Sequence, residues 1–143
     1  MTKKIVCIDA SFVVRLATSN AETTVFRDLW QQWELEKYQK IAPTLFYYEI
    51  INAFHRYAIS GELTPEEAEK ALEYSLSLEI EFYRNVSLHR KAFNLAKKLA
   101  LPAAYDAHYL ALAQDLSAEF YTADRRLFNA VNSIYSWVKL ARE

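Results

Sequence analysis

A single glycine, Gly61, stands in a chain of 143 residues. Glycine-rich phosphate loops and dinucleotide fingerprints need several glycines, because the backbone must come close to the phosphates. Neither can be built here, so any chemistry must come from side chains. Gly61 follows a helical apolar stripe (Phe46, Ile50, Ile51, Phe54, Ala58) and reads as the stop of that helix.

The rest of the chain alternates short apolar runs with helical patterns. Strands are expected at 4–8, 41–45, 79–84, 118–123 and 134–140, the second at an edge or early position because of Pro43. Helices are expected at 11–17, 23–38, 46–60, 64–78, from a Ser87 cap to about 99, at 104–116 and at 125–131. Thr64-Pro65-Glu66-Glu67 carries a helix start with cap, first-turn proline and acid at the third position. Tyr105, Tyr109, Leu112 and Leu116 are expected on one face of their helix. The implied architecture is α/β: a three-layer α/β/α sandwich with a central, mainly parallel sheet. At 143 residues and 52% hydrophobic content, one domain over 1–143 with one core is expected.

Seventeen basic and 18 acidic residues leave a net charge of −1, so the molecule as a whole is not an electrostatic nucleic-acid binder. Cys7 is the only cysteine, which excludes a disulfide framework and a cysteine-based zinc cluster. It is expected to be a buried hydrophobe. The run 5–8 is too short for a signal peptide and no stretch is long enough to span a membrane, so a reducing cytoplasm is expected. His55, His89 and His108 lack zinc-like spacing and read as surface or packing residues.

Only five of the acidic residues are aspartates. Asp9 and Asp124 each follow an expected buried strand. They therefore point to the rim where ligands bind parallel sheets, although each can also be a plain helix cap. Asp106 lies in a first helical turn amid tyrosines and alanines, where it can also serve the helix dipole. Glu49 aligns with Asn52 and Arg56 at i, i+3 and i+7, a line that is either functional or a solvated face. Like charges about 4 Å apart repel by roughly 4 kcal/mol at an effective dielectric of 20, so convergence of these acids would demand a cation. An all-oxygen set suits Mg²⁺ or Mn²⁺.

Four segments carry a family resemblance: Ile8-Asp9-Ala10-Ser11, Tyr48-Glu49-Ile50-Ile51-Asn52-Ala53, Tyr105-Asp106-Ala107-His108-Tyr109-Leu110-Ala111-Leu112-Ala113, and Tyr121-Thr122-Ala123-Asp124-Arg125-Arg126-Leu127. Their order and spacing resemble the four motifs of PIN-domain proteins, most closely the VapC-type toxins of toxin–antitoxin pairs. The resemblance covers essentially the whole chain. It implies a metal-dependent endoribonuclease with Asp9, Glu49, Asp106 and Asp124 as its acidic site, and Ser11 as a small hydroxyl beside the first acid. It also implies an RNA substrate, a homodimer and a cognate antitoxin. Asp9, Asp106 and Asp124 are expected to hold the ion. Arg15, Arg56, Arg125 and Arg126 are candidates for phosphate contacts, or surface charges. The rival expectations are an RNA-processing nuclease outside a toxin pair and a non-catalytic interaction module. Haloacid-dehalogenase-like phosphatases need a second acid where Ser11 stands, and response-regulator receivers need an acidic pair and a late lysine, so both fit poorly.

Overall fold

The computed structural model describes residues 4–19 and 24–142. Strand β1 (Ile5–Ile8) is buried along its whole length, which is why its sequence is continuously apolar. Helices α1 (Ala10–Thr18) and α2 (Val25–Leu35) follow, then β2 (Gln39–Pro43), α3 (Leu45–Ser60) and α4 (Pro65–Ser77). Strand β3 (Glu81–Tyr83), α5 (Val86–Lys98), α6 (Tyr105–Asp115), β4 (Glu119–Thr122), α7 (Arg125–Val131) and β5 (Val138–Leu140) complete the chain.

The strands form one sheet in the order β3-β2-β1-β4-β5, with all four pairings parallel. From β1 the chain first builds outward through β2 and β3. It then returns to the other side of β1 for β4 and β5. The reversal lies between β1 and β4, and parallel sheets bind ligands beyond the carboxyl ends of the strands at such a point. Ile8 pairs with Tyr121, so the residues just past β1 stand level with the end of β4. Helix α6 lies across β1, β2 and β4 and packs on α5, while α1 packs against α2, α3 and α4. The core includes Phe12, Phe26, Phe46, Phe54, Tyr109 and Phe120, all fully or almost fully buried.

Several expected boundaries move, each for a local reason. Pro43 is not on an edge: β2 lies inside the sheet, and the proline closes it as its last residue. Ser87 does not cap α5. Asn85 holds that position, and its amide instead donates to Ser87 Oγ, which lies inside the helix. Residue 23 lies outside the described residues, and α2 is capped by Thr24, whose Oγ1 accepts from Arg27 N. The expected strand at 134–140 begins only at Val138, because Ile134 and Tyr135 still bond back to Val131 as turns. Helix α6 is no simple stripe. Tyr105 is exposed while Ala107, Tyr109, Leu110, Ala111, Leu112 and Ala113 are all buried.

Candidate functional site

Asp9 leaves the end of β1 and caps α1: its Oδ1 accepts from Phe12 N at 3.0 Å. A cap alone does not require burial, yet Asp9 is only 5% exposed. Two hydroxyls hold it. Ser11 Oγ donates to Oδ1 at 2.7 Å and Thr122 Oγ1 donates to Oδ2 at 2.6 Å. The same hydroxyls tie in the second strand end: Ala123 N donates to Ser11 Oγ, and Asp124 N donates to Thr122 Oγ1, both at 3.0 Å. Asp124 caps α7, with its Oδ1 accepting from Arg126 N and Leu127 N. Both aspartates are thus caps, and one hydroxyl pair binds the two caps into a unit. Burial pushes Asp9 up to about 7, against the three hydrogen bonds that favour its charged form, and Asp106 repels it further.

Asp106 lies in the first turn of α6, which has no side-chain cap. Its pKa is raised first by burial and then by Asp124, with Arg126 opposing. Glu49 reaches in from α3 and accepts a 2.6 Å hydrogen bond from Tyr109 Oη of α6. Burial raises Glu49 as well, the Tyr109 bond lowers it and Asp106 raises it. Asp106 therefore links the four acids electrostatically: it acts on Asp9 and Glu49, and Asp124 acts on it. This is an oxygen-only donor set in which burial and mutual repulsion raise Asp9, Glu49 and Asp106 together, the chemistry a hard divalent cation fits. Among the described residues no three His, Cys, Asp or Glu side chains close tightly enough to enclose an ion unaided. Mg²⁺ keeps several of its waters when bound, so a loose carboxylate ring suits it.

A family model, the PIN domain, matches residues 6–133. The chain belongs to the PIN-domain family. The curated proteins contain no match to its sequence. Among solved structures, its fold is similar to the PAE2754 protein of Pyrobaculum aerophilum (20% identity, 95% of this chain and 88% of that one, TM-score 0.68). It is also similar to VapBC2 of Rickettsia felis bound to a fragment of its promoter DNA (12% identity, 95% and 96%, TM-score 0.67). A third neighbour is VapC20 of Mycobacterium tuberculosis, described as a toxin cleaving the sarcin–ricin loop (16% identity, 88% and 95%, TM-score 0.62).

In this PIN domain the remaining expected residues are not all brought to the acids. Ser11 stands inside the carboxylate network. Arg15 borders a cavity of about 300 Å³ beside it, together with Ala10, Ala53, Tyr57 and Ala123, and its guanidinium lies 5.1 Å from the centre of the Phe26 ring. Asn52 and Arg56 are exposed on α3. Arg125 faces a different cavity with Tyr121, Asn129, Lys139 and Arg142, whereas its neighbour Arg126 acts on Asp106. A larger cavity of about 680 Å³, lined by Leu16, Arg27, Trp30, Ala71 and Tyr74, holds none of the four acids. Sequence reasoning missed Thr122 and Tyr109. The signals were a hydroxyl ending the strand before Asp124 and a tyrosine one helical turn after Asp106.

Proposed function

We propose that this PIN domain is a metal-dependent endoribonuclease and the toxin of a type II toxin–antitoxin pair. The observation that carries the reading is Asp9: a buried carboxylate at the end of β1, held by three donors, joined to the Asp124 cap through the Ser11 and Thr122 hydroxyls and repelled by Asp106. Asp9, Asp106 and Asp124 would hold Mg²⁺ or Mn²⁺. When bound, such an ion acidifies water and neutralises charge at the scissile phosphate. The chain's own groups do the rest. Ser11 and Thr122 fix the Asp9 carboxylate, and Tyr109 fixes Glu49, which takes the proton of the attacking water. Arg126, beside Asp106, offers a cation to the substrate backbone.

The family supports nuclease chemistry, and the likeness to toxin–antitoxin structures supports an antitoxin partner. Exposed Tyr48, Ile51 and Ile59 along α3 support a protein partner on that face. No helix among the described residues is long and apolar enough to cross a membrane. The test is Asp9→Asn and Asp124→Asn in a metal-dependent RNA cleavage assay with antitoxin-free protein. Asparagine caps helices as well as aspartate does, so the fold should be kept while cleavage is lost. Cleavage at the wild-type rate in either variant overturns the assignment.

A further inference from the structure

Two histidines that are 19 residues apart in sequence meet on the surface where α5 packs on α6. His89 Nδ1 lies 3.0 Å from His108 Nε2, and the rings cross edge to edge at 69°. The second nitrogen of His108, Nδ1, lies 2.9 Å from the backbone carbonyl of Ala104. A carbonyl only accepts, so Nδ1 carries the proton and Nε2 presents its lone pair toward His89. A histidine oriented by a backbone carbonyl through one nitrogen, with the lone pair of the other turned outward, has the arrangement that metal-ligating imidazoles adopt. Two nitrogens on one tetrahedral ion, at bonds of about 2.0–2.1 Å, lie roughly 3.3 Å apart. The observed spacing is already close to that. His89 is exposed and His108 half-buried, so water can complete the coordination shell.

We propose that His89 Nδ1 and His108 Nε2 form a second metal site, for a borderline transition-metal ion such as Zn²⁺, Ni²⁺ or Cu²⁺, separate from the carboxylates. Imidazole pairs favour these ions, while Mg²⁺ prefers oxygen, so the two sites sort their metals by donor type. Without the ion the two rings share one hydrogen bond, donated by His89 Nδ1; when the ion binds, His89 changes tautomer, carrying its proton on Nε2, so that both facing nitrogens present lone pairs to the ion. Bound there, it cross-links α5 to the first turns of α6, the helix that carries Asp106.

The proposal is tested by titrating untagged protein with Ni²⁺ in excess Mg²⁺, which keeps the carboxylates occupied. Wild type should bind one equivalent. His89→Ala and His108→Ala should each weaken binding about tenfold or more, since losing a ligand costs at least what losing its outer partner does. His55→Ala and Asp9→Asn should leave binding unchanged. With Cu²⁺, the electron spin resonance spectrum should show two coordinated nitrogens in wild type and fewer in either single variant. Absence of Ni²⁺ binding in wild type overturns the site. So does binding that survives in the His89→Ala/His108→Ala double variant, including binding that is lost in Asp9→Asn.

Discussion

Asp9 accepts from two hydroxyls and one backbone N–H, yet burial still holds it near 7 rather than at its ordinary 3.8. Between those values the folded chain keeps a proton that the unfolded chain has released. Stability contributed through this group is therefore present at low pH and lost as pH rises from about 4 through about 7, by up to about 4 kcal/mol. Urea unfolding at pH 5 and pH 8 should show that fall in wild type and a flatter profile in Asp9→Asn; equal slopes in both would contradict it. Tyr109→Phe removes the donor that lowers the Glu49 pKa. The variant should lose about 1 kcal/mol of stability and roughly tenfold in turnover. The acid limb of its pH–rate profile should move upward, because an unsupported Glu49 holds its proton to higher pH. An unmoved limb would show that Tyr109 does not set the ionisation of Glu49. Asp9 and Asp124 were legible because strand runs ended at them. Thr122 and Tyr109 were not, because a hydroxyl in a strand and a tyrosine in an apolar helix look like packing until the tertiary contacts exist.

The scarcity of glycine has an outcome at the ends of helices. Gly61 closes α3 in the left-handed conformation, at φ 80°. Lys37, Ala100 and Ser117 take the same conformation just past α2, α5 and α6, at φ 59°, 54° and 53°. In each case the next residue's N–H bonds back to the helix: Tyr38 to Trp33, Leu101 to Ala96 and Ala118 to Ala113. These are helix-ending motifs that glycine normally fills. A side chain there is strained, so Ala100→Gly and Ser117→Gly should each stabilise the protein by about 1 kcal/mol, and Gly61→Ala should destabilise it similarly. Chemical denaturation with an unchanged m-value would read the effect; a loss of stability in both glycine variants would refute the strain. The same residues explain why helix ends were hard to see. Trp33, buried in α2, kept the helical stripe running toward Tyr38, while the chain turns at Lys37 with no glycine or proline to mark it. Strands were easier, since β1 and β4 bury apolar side chains in a sheet covered by helices. Helix α6 departs from its expected one-sided stripe for the opposite reason: buried nearly all round in its middle, it has no face pattern to detect.

For the whole molecule, a cation that binds only the folded state must raise its stability. Mg²⁺ or Mn²⁺ at a hundred times its Kd should add about 2.7 kcal/mol, read as a rise in melting temperature that Asp124→Asn loses. A melting curve indifferent to either ion would count against a preassembled carboxylate site. The sheet order also governs when the site can exist during synthesis. The bond from Thr122 to Asp9 spans 113 residues, because β1, made before β4, must wait for it. Until that strand has left the ribosome, Asp9 lacks its Thr122 anchor and Asp124 is absent. On the proposed reading, a nascent chain from which β4 has not yet emerged lacks its full set of acids and is inert as a nuclease.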